Sequence, residues 1–426
     1  MTVTAAGMVL WLVVLWPLLL SIPALHSRLP WPRQLALLPV LVLFLLPTTT
    51  ALKLPWLLFG SGLALSADLP WLLAMFIVVW WVAAAQFKIF AQGANSSRAT
   101  TFFLLTLAGN LGTLLAADLV GFFVFATLMG YSFYGLMLAK DEAAAKNTAR
   151  CYVVALIVGD LALFEALLLA AGASNNLQYA AVQQAMADSS TLPLYLAMVL
   201  AGFIVKAGLW PAHIWLTAAL RTVSPLPRIL LAAVPVAMAM LGTVRWLPVE
   251  MVTAATAGYV LQVLGALMLV SASVKWLRAR VGAAGWSMLC LIGLFFFLFG
   301  HTLVQPSAWR SYAPFVSPYL AIMGIASCLL LLPSLRRNRA QAGDTLSAQT
   351  GHCLPERLLA WLSVLRRATV WSKLTVGTQA NVTMLKNLGR ALTASGGHKP
   401  VIPGGVWAFA VTVFVLLILL FAALAG

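Results

Sequence analysis

Long runs of apolar residues separated by short polar connections make up most of the chain. A run of about 20 apolar residues is what a helix needs to cross the hydrocarbon core of a bilayer. Twelve such stretches lie near 7–25, 34–52, 69–90, 99–117, 119–139, 151–171, 193–217, 227–247, 252–273, 283–300, 313–334 and 404–425. They predict an all-α fold, a polytopic membrane helix bundle of about 12 transmembrane helices. The first run has no preceding Lys or Arg and no obvious cleavage site, so it reads as a retained span and not a signal peptide.

Two stretches depart from this pattern. Around 54–65 the apolar positions form a short amphipathic segment that reads as interfacial. From 340 a polar linker leads into PERLLAWLSVLRRATVWSKL, where Leu and Trp alternate with Arg and Lys at roughly helical spacing toward Leu392. That reads as an amphipathic lateral helix on the membrane surface. Some 40 helical residues would reach about 60 Å. The expected organisation is N-terminal transmembrane helices over 1–98, a dense core bundle over 99–340, a linker with the surface helix over 341–403, and a transmembrane anchor over 404–426.

Composition strengthens the membrane reading. The 426 residues are 62% hydrophobic and 8% charged, with a mean hydropathy of +0.98, a balance foreign to soluble domains. A net charge of +16 raises the question of nucleic acid, but the basic residues are distributed by topology. With the connections numbered alternately, 15 Lys and Arg fall on one side and three on the other. Such asymmetry is the positive-inside rule. It predicts extracytoplasmic termini and cytoplasmic loops at 140–150 and 275–280, in a bacterial inner membrane. Lipid, not nucleic acid, is the environment. Four cysteines and five histidines show no metal-ligand or disulfide spacing, and no phosphate-binding loop is present, so no cofactor or metal and no catalytic site of its own is expected.

Against this background the buried polar residues stand out. Lys206 lies in a nearly uncharged run and is followed by Pro211, His213 and Trp215. An ammonium at membrane depth is costly unless it is paired or hydrated, which makes it a candidate functional group. The alternative is a lysine that snorkels to an interface, although Lys206 lies well inside its run. Pro211 lacks an N–H and should deprive the Ala207 carbonyl of its helix partner, breaking the helix beside the charge. Of ten acidic residues only Asp160 and Glu165 fall inside a span. Five residues are about 140° around a helix, so the two should face different neighbours. Each could be an electrostatic partner of Lys206 or a satisfied helix–helix hydrogen bond.

Four stretches resemble the antiporter-like, proton-conducting membrane subunits of respiratory complex I, Mrp-type cation/proton antiporters and membrane-bound hydrogenases. Residues 102–138 are similar to the family's fourth and fifth helices. In YVVALIVGDLALFEALLL (152–169), Gly159-Asp160 matches the family's Val-Gly-Asp. KAGLWPAHIWLTAALRTVSPLPRILL (206–231) matches Lys-x-x-x-x-Pro-x-His-x-Trp-Leu and the following Pro-bearing loop, and is the most specific of the four. SVKWLRA (273–279) is a weaker likeness to Asp-Leu-Lys-Arg-Leu-Leu-Ala and makes Lys275 a candidate polar site of the second half. The C-terminal surface helix and last span look like the lateral arm of the longest members.

The chain also departs from that pattern. Thr127 stands where conducting members carry the glutamate that pairs with the broken-helix lysine, and Leu231 where they carry a histidine or lysine relay. The second inverted repeat looks cut short, and Glu165, which has no usual counterpart, is a candidate replacement for the missing carboxylate. The resemblance implies a membrane subunit of a multi-protein complex that provides a proton-translocation path coupled to a partner's chemistry, such as that of a redox-driven proton-pumping oxidoreductase. Proton transfer would use Lys206, Asp160, Glu165 and His213, with the helix break at Pro211. Its partners would be other membrane and peripheral subunits. Two alternatives remain at the level of sequence: a non-conducting scaffold for a catalytic partner, and the proton-coupled module of an inorganic-carbon uptake complex with a carbonic-anhydrase-like partner.

Overall fold

The computed structural model describes residues 5–53, 61–66, 69–90, 95–139, 143–278 and 283–331. The expected lateral helix and final span therefore lie outside the described residues. In chain order come α1 (Ala5–Leu20), α2 (Pro23–His26), α3 (Pro32–Leu35), α4 (Leu38–Val42), a hairpin of β1 (Ala51–Lys53) and β2 (Gly62–Ala64), and α5 (Leu69–Phe90). Then follow α6 (Asn95–Leu115), α7 (Leu119–Met137), α8 (Ala143–Ala173), α9 (Tyr179–Ala187), α10 (Leu192–Ala207), α11 (His213–Thr222) and α12 (Pro225–Leu231). The described part closes with α13 (Ala237–Trp246), α14 (Ala255–Arg278), α15 (Ala283–Val304) and α16 (Trp309–Ser327).

Among the described residues, seven helices are long and apolar enough to cross a membrane by length and composition. Several expected spans take another form. Over 34–52 the chain folds as short helical turns: Pro39 has no N–H to continue the ladder from α3, and Leu46, the residue before Pro47, is extended. The run at 193–217 is split into α10 and α11. The run at 227–247 is continuous but passes through a π turn, Ala232–Val236, which contains Pro235. A wider turn takes up a proline that an α turn would reject. Nor is every element helical. Leu52 pairs with Leu63 in the antiparallel hairpin, part of which was expected as an interfacial amphipathic segment. Three-residue strands are too short to show a period of two in sequence.

The core is built where helices come close enough for backbones to touch. In α14 and α15, Gly258 faces Gly300 and Gly265 faces Gly293; a Cβ on Gly258 would stand 2.6 Å from the Gly300 oxygen. This is the small-residue interface that membrane helices use in place of a hydrophobic drive. Asp118 fixes the entry to α7: its Oδ1 caps the helix by accepting from Gly121 N at 2.7 Å, and its Oδ2 accepts from Gly62 N at 2.7 Å, tying the hairpin to the bundle. At the same end, Arg245 Nη1 donates to the Thr113 and Leu114 carbonyls at 3.2 and 3.0 Å, satisfying the last turn of α6. Phe122 of α7, Phe203 of α10 and Trp246 of α13 meet edge to face, with ring centroids 5.7–6.1 Å apart. These contacts hold α10 against α7 and α13.

Candidate functional site

The site begins at the crossing of α8 and α10, where each helix places a glycine. A Cβ on Gly159 would lie 2.6 Å from Lys206 Cγ and 3.1 Å from the Gly202 oxygen, and one on Gly202 would lie 2.6 Å from Leu163 Cγ. No other residue type allows this approach. The Lys206 stem therefore runs directly across the α8 backbone, one residue from Asp160.

At that point α10 ends. Its last helical residue is Ala207, and Gly208 follows in the left-handed conformation at φ +68°. Leu209 N donates to the Ile204 oxygen at 3.0 Å and Gly208 N to the Val205 oxygen at 3.2 Å. That is a Schellman termination. The helix thus stops at a glycine, three residues before Pro211, and the Trp210–Pro211 peptide, which is cis, lies in the connection to α11. Sequence reading placed the cause of the break at Pro211; the local reason is Gly208. Trp215, in the first turn of α11, reaches back so that its indole N–H donates to the Val205 oxygen at 2.9 Å. A carbonyl freed by the break thus gains a second donor within protein, as backbone at membrane depth requires. Trp215 is fully buried against Tyr152, with ring centroids 5.5 Å apart.

Lys206 Nζ donates to Asp160 Oδ1 in a hydrogen-bonded ion pair whose side chains are 8% and 10% exposed. The other ion pair among the described residues, Arg310–Glu250, lies at the surface. Asp160 Oδ2 is buried with no hydrogen-bond partner among the described residues, and so is the Thr127 hydroxyl. A buried carboxylate oxygen left open is a place for a water or a transferred proton. Tyr152 of α8 and Tyr131 of α7 both lie within electrostatic range of the Asp160 charge.

The remaining candidates are spread around this pair. His213 is half-buried at the start of α11, just past the break, and lies near enough to Lys275 for their charges to interact. Lys275 is exposed near the end of α14, its ammonium 4.9 Å from the Trp286 ring centre, with the Arg221 guanidinium 5.1 Å from the same ring. Glu165 is exposed on α8, one and a half turns beyond Asp160, and the carboxylate in contact with Lys206 is that of Asp160. Leu231 is fully buried immediately before the π turn. Sequence reasoning missed Gly159, Gly202, Gly208 and Trp215 as positioning residues. The Gly and Trp of the motifs were visible, but only the fold brings residues some 43 positions apart into contact.

Residues 116–280 match the family model described as NADH:quinone oxidoreductase/Mrp antiporter, transmembrane. The match to that family model is confined to this stretch. The matched stretch contains both members of the Lys206–Asp160 pair and the break between α10 and α11. Among curated relatives, the chain is 29% identical over 171 residues to one subunit of a probable K(+)/H(+) antiporter of Rhizobium meliloti (strain 1021), covering 39% of this chain and 28% of that protein. Two solved structures share the fold. One is the Mrp complex from Dietzia sp. DQ12-45-1b, with a TM-score of 0.65 and 16% identity over 99% of this chain and 46% of the other. The second is the membrane-bound sulfane sulfur reductase, an archaeal respiratory membrane complex, with a TM-score of 0.54 and 20% identity over 74% of this chain and 56% of the other. The chain thus spans about half the length of these solved relatives. It is a multi-pass membrane protein with this fold.

Proposed function

We propose that this chain is an antiporter-like membrane subunit of a multi-protein complex in a bacterial inner membrane, and that it provides a proton path coupled to its partners' chemistry. The observation that carries this reading is the buried Lys206–Asp160 pair beside the end of α10. Contact with an opposite charge favours the charged form of each partner. Widening the gap removes that support, and the ammonium then releases its proton to an acceptor on the α11 side, where His213 is the candidate. Asp160 holds the resting charge. Glu165, exposed on the opposite side of α8 from the pair, serves a separate contact, and Lys275 marks the cytoplasmic end of the second half.

In the same reading, the chain crosses the membrane twelve times with both termini extracytoplasmic, the crossing at 34–52 made by short helical turns. The helix over 355–395 and the anchor over 404–426 strap this subunit to a neighbour. Other membrane and peripheral subunits are its partners, with lipid around them.

The test is substitution at the pair within the assembled complex. Lys206→Ala should reduce complex-dependent proton movement in membrane vesicles to background while assembly persists. Lys206→Arg should fail as well, because a guanidinium does not deprotonate at accessible pH. Asp160→Asn should give a partial loss, since the amide keeps a hydrogen bond without the charge. Full proton movement in Lys206→Ala would mean a non-conducting scaffold.

A further inference from the structure

One face of α8 is left uncovered by the described residues. Ile157, Leu161, Phe164 and Leu168 are 49%, 62%, 44% and 51% exposed, at spacings of four, three and four that place them on one stripe. Glu165 lies exposed in that stripe. Beside it, Glu165, Leu169 and Gly172 of α8 and Ser189 and Thr191 of the connection to α10 line an open groove of about 390 Å³.

Depth makes the carboxylate a problem. Arg150, two turns into α8, and Asn175, just past its end, are exposed polar residues that flank its apolar stretch. At 1.5 Å per residue, Glu165 lies about 22 Å from the first and about 15 Å from the second. A hydrocarbon core of about 30 Å centred between them leaves Glu165 about 11 Å inside its edge. The long stems of Lys and Arg snorkel over such distances, but the short stem of Glu does not. An acidic side chain facing hydrocarbon is costly, and such residues normally pair or line a cavity. Lys206, the basic residue at comparable depth on α10, is already paired with Asp160.

We propose that this face of α8 docks a transmembrane helix of a neighbouring subunit that presents a Lys, Arg or His to Glu165. A basic partner supplies opposite charge and a charge-assisted hydrogen bond together. Gly172 and Ser189 along the groove let the second backbone come close, as small residues do at membrane helix interfaces. The inference rests on the reading of the chain as a subunit of a complex but not on proton movement.

It is tested with the full chain in its native membrane. A photo-reactive benzoylphenylalanine is placed at Leu161 and at Leu168, and at Val263 on α14 as a control. After illumination the complex is purified by a tag on this chain, and adducts are mapped by mass spectrometry. The expected result at 161 and 168 is an adduct to one membrane helix of a co-purifying subunit, with a Lys, Arg or His within a turn of the attachment point. Glu165→Gln should lower its yield about fivefold or more, in line with the strength of interhelical polar contacts. Glu165→Lys combined with an acid in place of the partner's base should restore it. Adducts to lipid alone, to a helix without a basic residue, or in undiminished yield with Glu165→Gln overturn the proposal. If subunits co-purify while these adducts fail, the docking face is wrong and the subunit reading stands. If no subunit co-purifies, both fall.

Discussion

Gly159→Ala is the substitution that most directly probes the pair without removing either charge. The added methyl would sit 2.6 Å from Lys206 Cγ and 3.1 Å from both Lys206 Cδ and the Gly202 oxygen. An ordinary carbon contact is about 3.5–4.0 Å, so α8 and the Lys206 stem must part by about 1 Å. Cγ is the second carbon of the side chain, so rotating the far end of the lysine gives no relief. Forced repacking of this kind costs about 1–3 kcal/mol. The electrostatic consequence is of similar size. Moving two unit charges from about 3 to about 4 Å apart at an effective dielectric of about 20 loses about 1.4 kcal/mol. That is about tenfold in the balance between paired and separated states. Gly159→Ala should therefore assemble and cut complex-dependent proton movement by about tenfold, read as acidification of everted vesicles normalised to the amount of assembled complex. Gly202→Ala clashes chiefly with Leu163, at 2.6 Å from its Cγ, so pairing it with Leu163→Ala should recover most of its own loss, whereas Leu163→Ala should not rescue Gly159→Ala. Normal flux in Gly159→Ala at normal assembly would refute the idea that the pair's spacing sets the rate.

Two further outcomes are expected. Trp215→Phe removes the indole donor from the Val205 oxygen and leaves only Gly208 N on that carbonyl, so the thermal midpoint of the purified complex should fall, with a loss of about 1 kcal/mol; an unchanged midpoint would show that the break is supported elsewhere. In intact cells, a membrane-impermeant maleimide should label Asn175→Cys and not Lys146→Cys, with the reverse pattern in inside-out vesicles; labelling the other way round would invert the proposed topology.

Much of the bundle was legible because apolar runs of helix length need no tertiary information. The helices α5, α6, α7 and α8 fall on expected spans at 69–90, 99–117, 119–139 and 151–171. The 140° offset between Asp160 and Glu165 also follows from helical geometry alone, and one is buried while the other is exposed. What sequence could not supply was the cause of events at a point. Gly208 and Pro211 both break helices, and only the hydrogen bonds from Gly208 N and Leu209 N show which residue ends α10. Prolines 32 and 39 were visible, yet whether a membrane helix kinks or dissolves at a proline depends on neighbours that can satisfy the freed backbone groups. The contact of Gly159 with the Lys206 stem is a long-range fact, and no local pattern encodes it.

That contact has a consequence for motion. A free lysine has four side-chain torsions and surrenders about 2 kcal/mol of rotamer entropy when it is fixed. Here Cγ and Cδ lie against the α8 backbone at Gly159, so the inner torsions are already set by packing. The ammonium keeps the freedom of its outermost bonds, a short arc pivoting on a clamped stem. Reaching Asp160 then costs little further ordering, and leaving it needs no repacking of the helices. The charge moves as the tip of a lever whose fulcrum is a glycine.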